Sequence, residues 1–272
     1  MAWRISILLL LAAGSRAARS EVYDVTYDPR AGLYPEQSGW VRFTEYGGDQ
    51  RWFEDGNLVL SSLSNPGAVE YYVMYRPGAL DPNSSAGEIF FISWGLRIDQ
   101  CSYDYDIGIA VFAGTRWAVG FDIGYDTIYS AFETGVSATF APAAFHDFCL
   151  LSADMLRYVL LVDGRPAIAG SFWESLWSSR VHWGDAIPSA ASLSRWRYLR
   201  FGVAAPPGPG DMNCDVRVDF FDINPFVLAL TDPQAYGSQY GYCNILNGDT
   251  NGDGRVDFDD INGFVALLSA VD

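Results

Sequence analysis

Twenty residues near the C-terminus occur twice. Residues 211–230 (DMNCDVRVDFFDINPFVLAL) return 38 positions later as residues 249–268 (DTNGDGRVDFDDINGFVALL), with thirteen of the twenty identical. Two copies this close must fold alike, and each is too short to bury an apolar face alone. Within each copy, oxygen-bearing side chains stand at positions 1, 3, 5, 9 and 12. They are Asp211, Asn213, Asp215, Asp219 and Asp222, then Asp249, Asn251, Asp253, Asp257 and Asp260. Position 7, Arg217 or Arg255, offers its backbone carbonyl. Hard oxygens at this spacing along a tight turn converge on one point, which suits Ca²⁺ better than Mg²⁺, since Mg²⁺ resists a cage of protein oxygens. A metal-free cluster of Asp/Asn turns is the rival reading. Two loops in register, each running into an apolar helix pattern (Ile223, Phe226, Val227, Leu230; Ile261, Phe264, Val265, Leu268), favour the ion.

The copies differ at position 6, where the loop must turn sharply. The second has Gly254 and the first has Val216. A β-branched residue in the left-handed region costs about 1–2 kcal/mol. The first site is therefore expected to bind Ca²⁺ about tenfold more weakly than the second.

Charge is distributed to match. The chain carries a net charge of −16, has no Lys, and places eleven Asp but only two Arg within residues 211–272. Such a chain repels phosphate, which excludes nucleic acid as a partner. The N-terminus (Arg4, then an apolar run over residues 5–13, then Ser15-x-Ala17) reads as a secretory signal peptide over residues 1–17, and the apolar run is too short to span a bilayer. The protein is thus expected to be secreted, with no membrane span. Pro206–Gly210 (PPGPG) reads as a linker between residues 18–205 and residues 211–272.

Outside the cytoplasm, four cysteines are expected to pair. Three pairings are possible; keeping each bridge within one domain selects Cys101–Cys149 and Cys214–Cys243. Zinc is disfavoured, because no C-x-x-C occurs and His146 and His182 lie far from the second Cys pair.

Position 12 is Asp rather than the Glu of ordinary EF-hands, and each loop precedes its helix. Over nearly all of residues 211–269 the segment resembles a bacterial type I dockerin. The resemblance implies a small all-α domain whose paired Ca²⁺ loops hold helices that bind a cohesin module, often in polysaccharide degradation. Family contact positions 10 and 11 correspond to Phe220, Phe221, Phe258 and Asp259, where well-studied members carry small hydroxyls. That departure points to a different partner, or to an intramolecular one. Packing in the small core is the alternative for Phe220 and Phe258.

Residues 18–205 read as all-β. Strand-like runs over 69–76, 88–94, 106–112, 117–123 and 158–162 are separated by turn signals, and Asp163-Gly164 before residues 165–172 marks a hairpin. The run 158–172 (YVLLVDGRPAIAGSF), with residues 181–185 and 196–203, resembles the laminin-G-like, concanavalin A-like jelly rolls. That implies a two-sheet sandwich binding a glycan or protein ligand. A glycoside hydrolase or lyase of the same class is the alternative. No Glu-x-Asp-x-x-Glu strand is present, and Asp104, Asp106, Asp122 and Asp126 are ambiguous acids, so a non-catalytic role is expected. Trp94, Trp117, Trp173, Trp177 and Trp183 are candidates to stack on sugar rings.

Overall fold

The computed structural model describes residues 23–75, 80, 82, 86–102, 107–113, 117–175, 178–185 and 191–270. The expected signal peptide, Asp104, Asp106 and Trp177 lie outside the described residues, as does the side chain of Trp117.

Among the described residues, sixteen strands form two antiparallel sheets. The first runs β13 (Arg165–Ser171), β12 (Arg157–Val162), β11 (His146–Ser152), β6 (Ile89–Cys101), β16 (Ser192–Ala204), β4 (Asn57–Ser61) and β3 (Gln50–Glu54), with β1 (Tyr23–Tyr27) also on β16. The second runs β10 (Ser137–Thr139), β9 (Thr127–Ser130), β8 (Trp117–Ile123), β7 (Ile107–Ala113), β15 (Arg180–Asp185), β5 (Val69–Tyr75) and β2 (Val41–Glu45), with β14 (Trp173–Glu174) on β8. Strands distant in sequence sit side by side, β16 against β6 and β15 between β5 and β7. This interleaving is the jelly-roll pattern expected from the strand-rich text. The Asp163-Gly164 hairpin forms as expected: both residues have positive φ (50° and 71°), and Val162 pairs with Arg165.

Strand alternation fills the space between the sheets. Ile107, Ile109 and Val111 face inward from β7, and Val119, Phe121 and Ile123 from β8. Trp183 and Trp196 meet in the centre with ring centroids 4.6 Å apart. Trp94 stacks on Phe148 in the same core. Trp94 and Trp183 are therefore core residues, not sugar platforms: each occupies an inward position of its strand. Trp173 alone of the described candidates is open to solvent, at 57%.

The C-terminal unit contains α1 (Ile223–Thr231), α2 (Pro233–Gln239) and α3 (Ile261–Leu268). The Asp232 side chain accepts from the Ala235 N–H and Pro233 opens α2, a favourable start for a short helix. Phe226 and Phe264, equivalent positions of the two repeats, stack at 4.1 Å and 10°. The repeats thus pair through one shared side-chain position. Met212, Ala229, Tyr236 and Tyr240 complete this small core. Cys214–Cys243 is bridged with a Cα–Cα distance of 5.6 Å, closing a loop that contributes roughly 3–4 kcal/mol by chain entropy.

The second expected bridge does not form. Neither Cys101 nor Cys149 is in a disulfide. Cys149 pairs with Ser93 across β11 and β6, while Cys101 ends β6 opposite Ser192. Eight residues of strand between Ser93 and Cys101 separate the thiols by about 26 Å, far beyond bridging distance. Burial, then the nearby Asp215 charge, push the Cys149 thiol well up. Alkylation of the denatured, unreduced chain should therefore label two thiols, and four after reduction. Mass spectrometry showing none before reduction would contradict this pairing.

The C-terminal unit sits on the outer face of the first sheet. Val216 packs against a cluster of Phe91, Cys149, Leu151, Leu161 and Ala204. Pro206 to Gly210 bridges the two parts, and Gly210 is buried, its N–H bonded to the Asn247 carbonyl at 2.7 Å.

Candidate functional site

The two Asp loops share the same side-chain-to-backbone bonds at positions 3, 5, 9 and 12; at position 1 the Asp249 carboxylate also accepts from the N–H groups of Gly252, Asp253 and Gly254. At position 3, Asn213 Oδ1 accepts from the Asp215 N–H (3.0 Å), and Asn251 Oδ1 from the Asp253 N–H (2.8 Å). At position 5, Asp215 and Asp253 accept from the N–H groups of Arg217 and Arg255 (3.0 and 2.9 Å). At position 9, Asp219 and Asp257 cap the next turn through Phe221 and Asp259. At position 12, Asp222 holds the N–H groups of Met212, Asn213 and Asp219, and Asp260 those of Thr250, Asn251 and Asp257. Positions 4 and 6 both have positive φ in both loops: Cys214 55° and Val216 67°, Gly252 80° and Gly254 85°. Val216 is thus held in the left-handed conformation that the alignment with Gly254 predicts.

Their surroundings differ. Asp211, Asn213, Asp215 and Asp222 are all buried, whereas Asn251, Asp253 and Gly254 are exposed and only Asp260 is buried. Burial, then the Asp219 charge, push Asp215 up to about 6. Burial, then Asp215, push Asp222 up to about 8. Burial in the first loop therefore disfavours the ionised form of both carboxyls, and the Arg217 charge offsets this only in part at Asp215. Arg217 sits with its guanidinium 5.3 Å from the Tyr198 ring centre.

Among the described residues, no group of three or more His, Cys, Asp or Glu side chains is arranged to hold a metal ion as its rotamers stand. The carboxylates instead turn to the N–H groups of their own loops. The donor set nonetheless fits a hard cation: Asp and Asn oxygens stand at the alternating positions of a turn. Occupancy requires these side chains to rotate toward the loop centre.

The expected contact residues divide. Phe221 packs on the sandwich hairpin, where a Cβ added to Gly164 would lie 2.6 Å from the Phe221 Cβ. Phe220 and Phe258 are 80% and 72% exposed, which overturns the alternative that they fill the small core, and Asp259 is also exposed. Each continues into an exposed apolar stripe, Phe220–Ile223–Val227 and Phe258–Ile261–Val265, spaced i, i+3, i+7 along a helix face. The stripes follow from the alignment, but only the structure shows that they face outward.

On the sandwich, Asp126 is exposed, while Asp122 is half-buried and raised by that burial. Asp122 lines a depression on the outer face of the second sheet together with Tyr71, Ala110, Phe112, Phe132 and His182. The sequence offers no pattern for this cluster, because its residues span positions 71 to 182. Burial, then the Arg180 charge, press the His182 imidazole from 6.5 down to about 4. The unfolded chain takes up a proton that the folded chain refuses. His182 therefore weakens folding as pH falls from about 6.5 toward 4, by about 3 kcal/mol in full. Urea midpoints at pH 7.5 and 4.5 should show a smaller acid loss for His182→Gln than for wild type. An equal loss in both would contradict the burial.

No family model and no curated protein matches the chain. Solved structures do. A carbohydrate esterase of the Shiga toxin-encoding bacteriophage phi24B aligns at 10% identity and TM-score 0.50, over 70% of this chain and 100% of its own. Lectin I-B4 of Griffonia simplicifolia in its metal-free form aligns at 10% and 0.45, over 66% and 99%. A Bacillus subtilis protein with a galectin-like fold aligns at 14% and 0.45, over 70% and 100%. At these identities the likeness concerns fold alone. The N-terminal part of this chain is an all-β jelly-roll sandwich of two sheets.

Proposed function

We propose that this is an exported, modular calcium-binding protein. Its sandwich binds a glycan or protein ligand, and its C-terminal unit takes up two Ca²⁺ and docks to a cohesin-like protein partner. The observation that carries this reading is the repetition of the same bonds at positions 3, 5, 9 and 12 of the two Asp loops, with matching left-handed residues at positions 4 and 6. Asp211, Asn213, Asp215, Asp219, Asp222 and the Arg217 carbonyl would hold one ion. Asp249, Asn251, Asp253, Asp257, Asp260 and the Arg255 carbonyl would hold the other. Calcium would supply two positive charges to loops that carry four and five Asp, with one Arg each.

The apolar stripes support docking. Large side chains left open twice, at equivalent positions, form a surface that a partner can cover. Phe221 already spends one expected contact on the sandwich, so the second repeat is the freer of the two. The test uses the full chain against immobilised bacterial cohesin modules, with calcium and with chelator. Calcium-dependent binding that Phe258→Ser abolishes is expected. Absence of binding to every module, in a chain shown to take up calcium, would remove the docking role.

A further inference from the structure

The depression on the second sheet has a volume of about 170 Å³, and strand alternation builds it. Inward Ile107, Ile109 and Val111 leave Gly108, Ala110 and Phe112 facing out from β7, and inward Val119, Phe121 and Ile123 leave Gly120 and Asp122 facing out from β8. Register then sets Gly108 opposite Asp122, and Ala110 between Gly120 and His182. Two neighbouring strands thus present almost no side chain over about two strand spacings of 4.8 Å. Larger groups stand around this floor. Tyr71 is stacked on Phe43 at 5.2 Å, and the Phe112 ring lies 5.2 Å from His182. Phe132 leans over Gly120, where an added Cβ would approach it to 3.2 Å.

Asp122 and His182 meet a mostly apolar floor, and the Arg180 guanidinium stands at its rim, 4.5 Å from the Phe112 ring centre. His182 Nε2 is buried and has no hydrogen-bond partner. Asp122 faces the same space from β8. A buried polar atom without a partner is costly, and a ligand that supplies one is favoured accordingly. An aliphatic ligand would leave both groups unmet. An anion would be repelled by Asp122 and by the net charge of −16. A sugar ring fits both demands: its C–H face packs on aromatic and small residues, and its hydroxyls donate to the carboxylate and bond the imidazole.

We infer that this depression is a subsite for one neutral pyranose ring of a glycan, held between Tyr71, Phe112 and Phe132 and oriented by Asp122 and His182. The inference rests on the reading that the sandwich binds a glycan, and gives that ligand its place and chemical class. Affinity electrophoresis of the full chain through gels containing starch, galactomannan, xylan or mixed-linkage β-glucan tests it. Wild type should be retarded by at least one. Ala110→Phe, which fills the floor, and Asp122→Asn, which keeps the shape, should each weaken that binding about tenfold or more, with melting temperatures unchanged. Equal retardation of wild type and both variants would overturn the subsite and leave glycan binding standing. A wild type retarded by no neutral polysaccharide would overturn both.

Discussion

In chelator, the C-terminal unit should melt well below the sandwich, and with calcium the two should melt together. A site filled at a thousandfold its Kd adds about 4 kcal/mol, and two such sites add about 8 kcal/mol. The unit needs that help. Its core is six buried side chains, Met212, Phe226, Ala229, Tyr236, Tyr240 and Phe264, stapled by Cys214–Cys243. Sixty residues with so small a core sit near zero net stability without added links. Calorimetry should show one transition in millimolar calcium and two in chelator, the lower one losing the helical signal. A single unshifted transition in both would mean that the loops are Asp turns and nothing more.

Val216→Asp should free the C-terminal unit from the sandwich. Val216 lies against Phe91, Cys149, Leu151, Leu161 and Ala204. A carboxylate there would lose water against an apolar cluster and stand beside Asp215, with Arg217 and Arg200 only partly offsetting it, at a cost of about 1–3 kcal/mol. Val216→Gly acts differently. It removes left-handed strain of about 1–2 kcal/mol but also the apolar burial, about 1.5–3 kcal/mol. The two nearly cancel, so the glycine variant should stay seated. Small-angle scattering should show a larger radius of gyration for the Asp variant alone. Wild-type dimensions for Val216→Asp would place the holding contact elsewhere.

Position 6 shows where sequence reasoning reaches and where it stops. Alignment with Gly254 sufficed to place Val216 at positive φ, because the repeat fixes the backbone. Why a valine stands there was hidden: it meets a cluster drawn from β6, β11, β12 and β16. Local signals fared well for the same reason. The Asp163-Gly164 turn and the Cys214–Cys243 bridge each depend on neighbours within one unit. Cys101–Cys149 failed because its distance is set by how far β6 runs past Ser93, which no spacing in the text records. Trp94 and Trp183 failed on strand register, which decides whether a large ring faces core or solvent. The depression around Ala110 was invisible, since crossovers alone bring Tyr71, Phe112 and His182 together.

Titration calorimetry of the intact chain with calcium addresses the central claim most directly. Two ions should bind per chain, in two classes, with the tighter class lost in Asp249→Ala and the weaker in Asp211→Ala. Heats without saturation, or two ions that still bind when both aspartates are replaced, would contradict the calcium reading of the repeated loops.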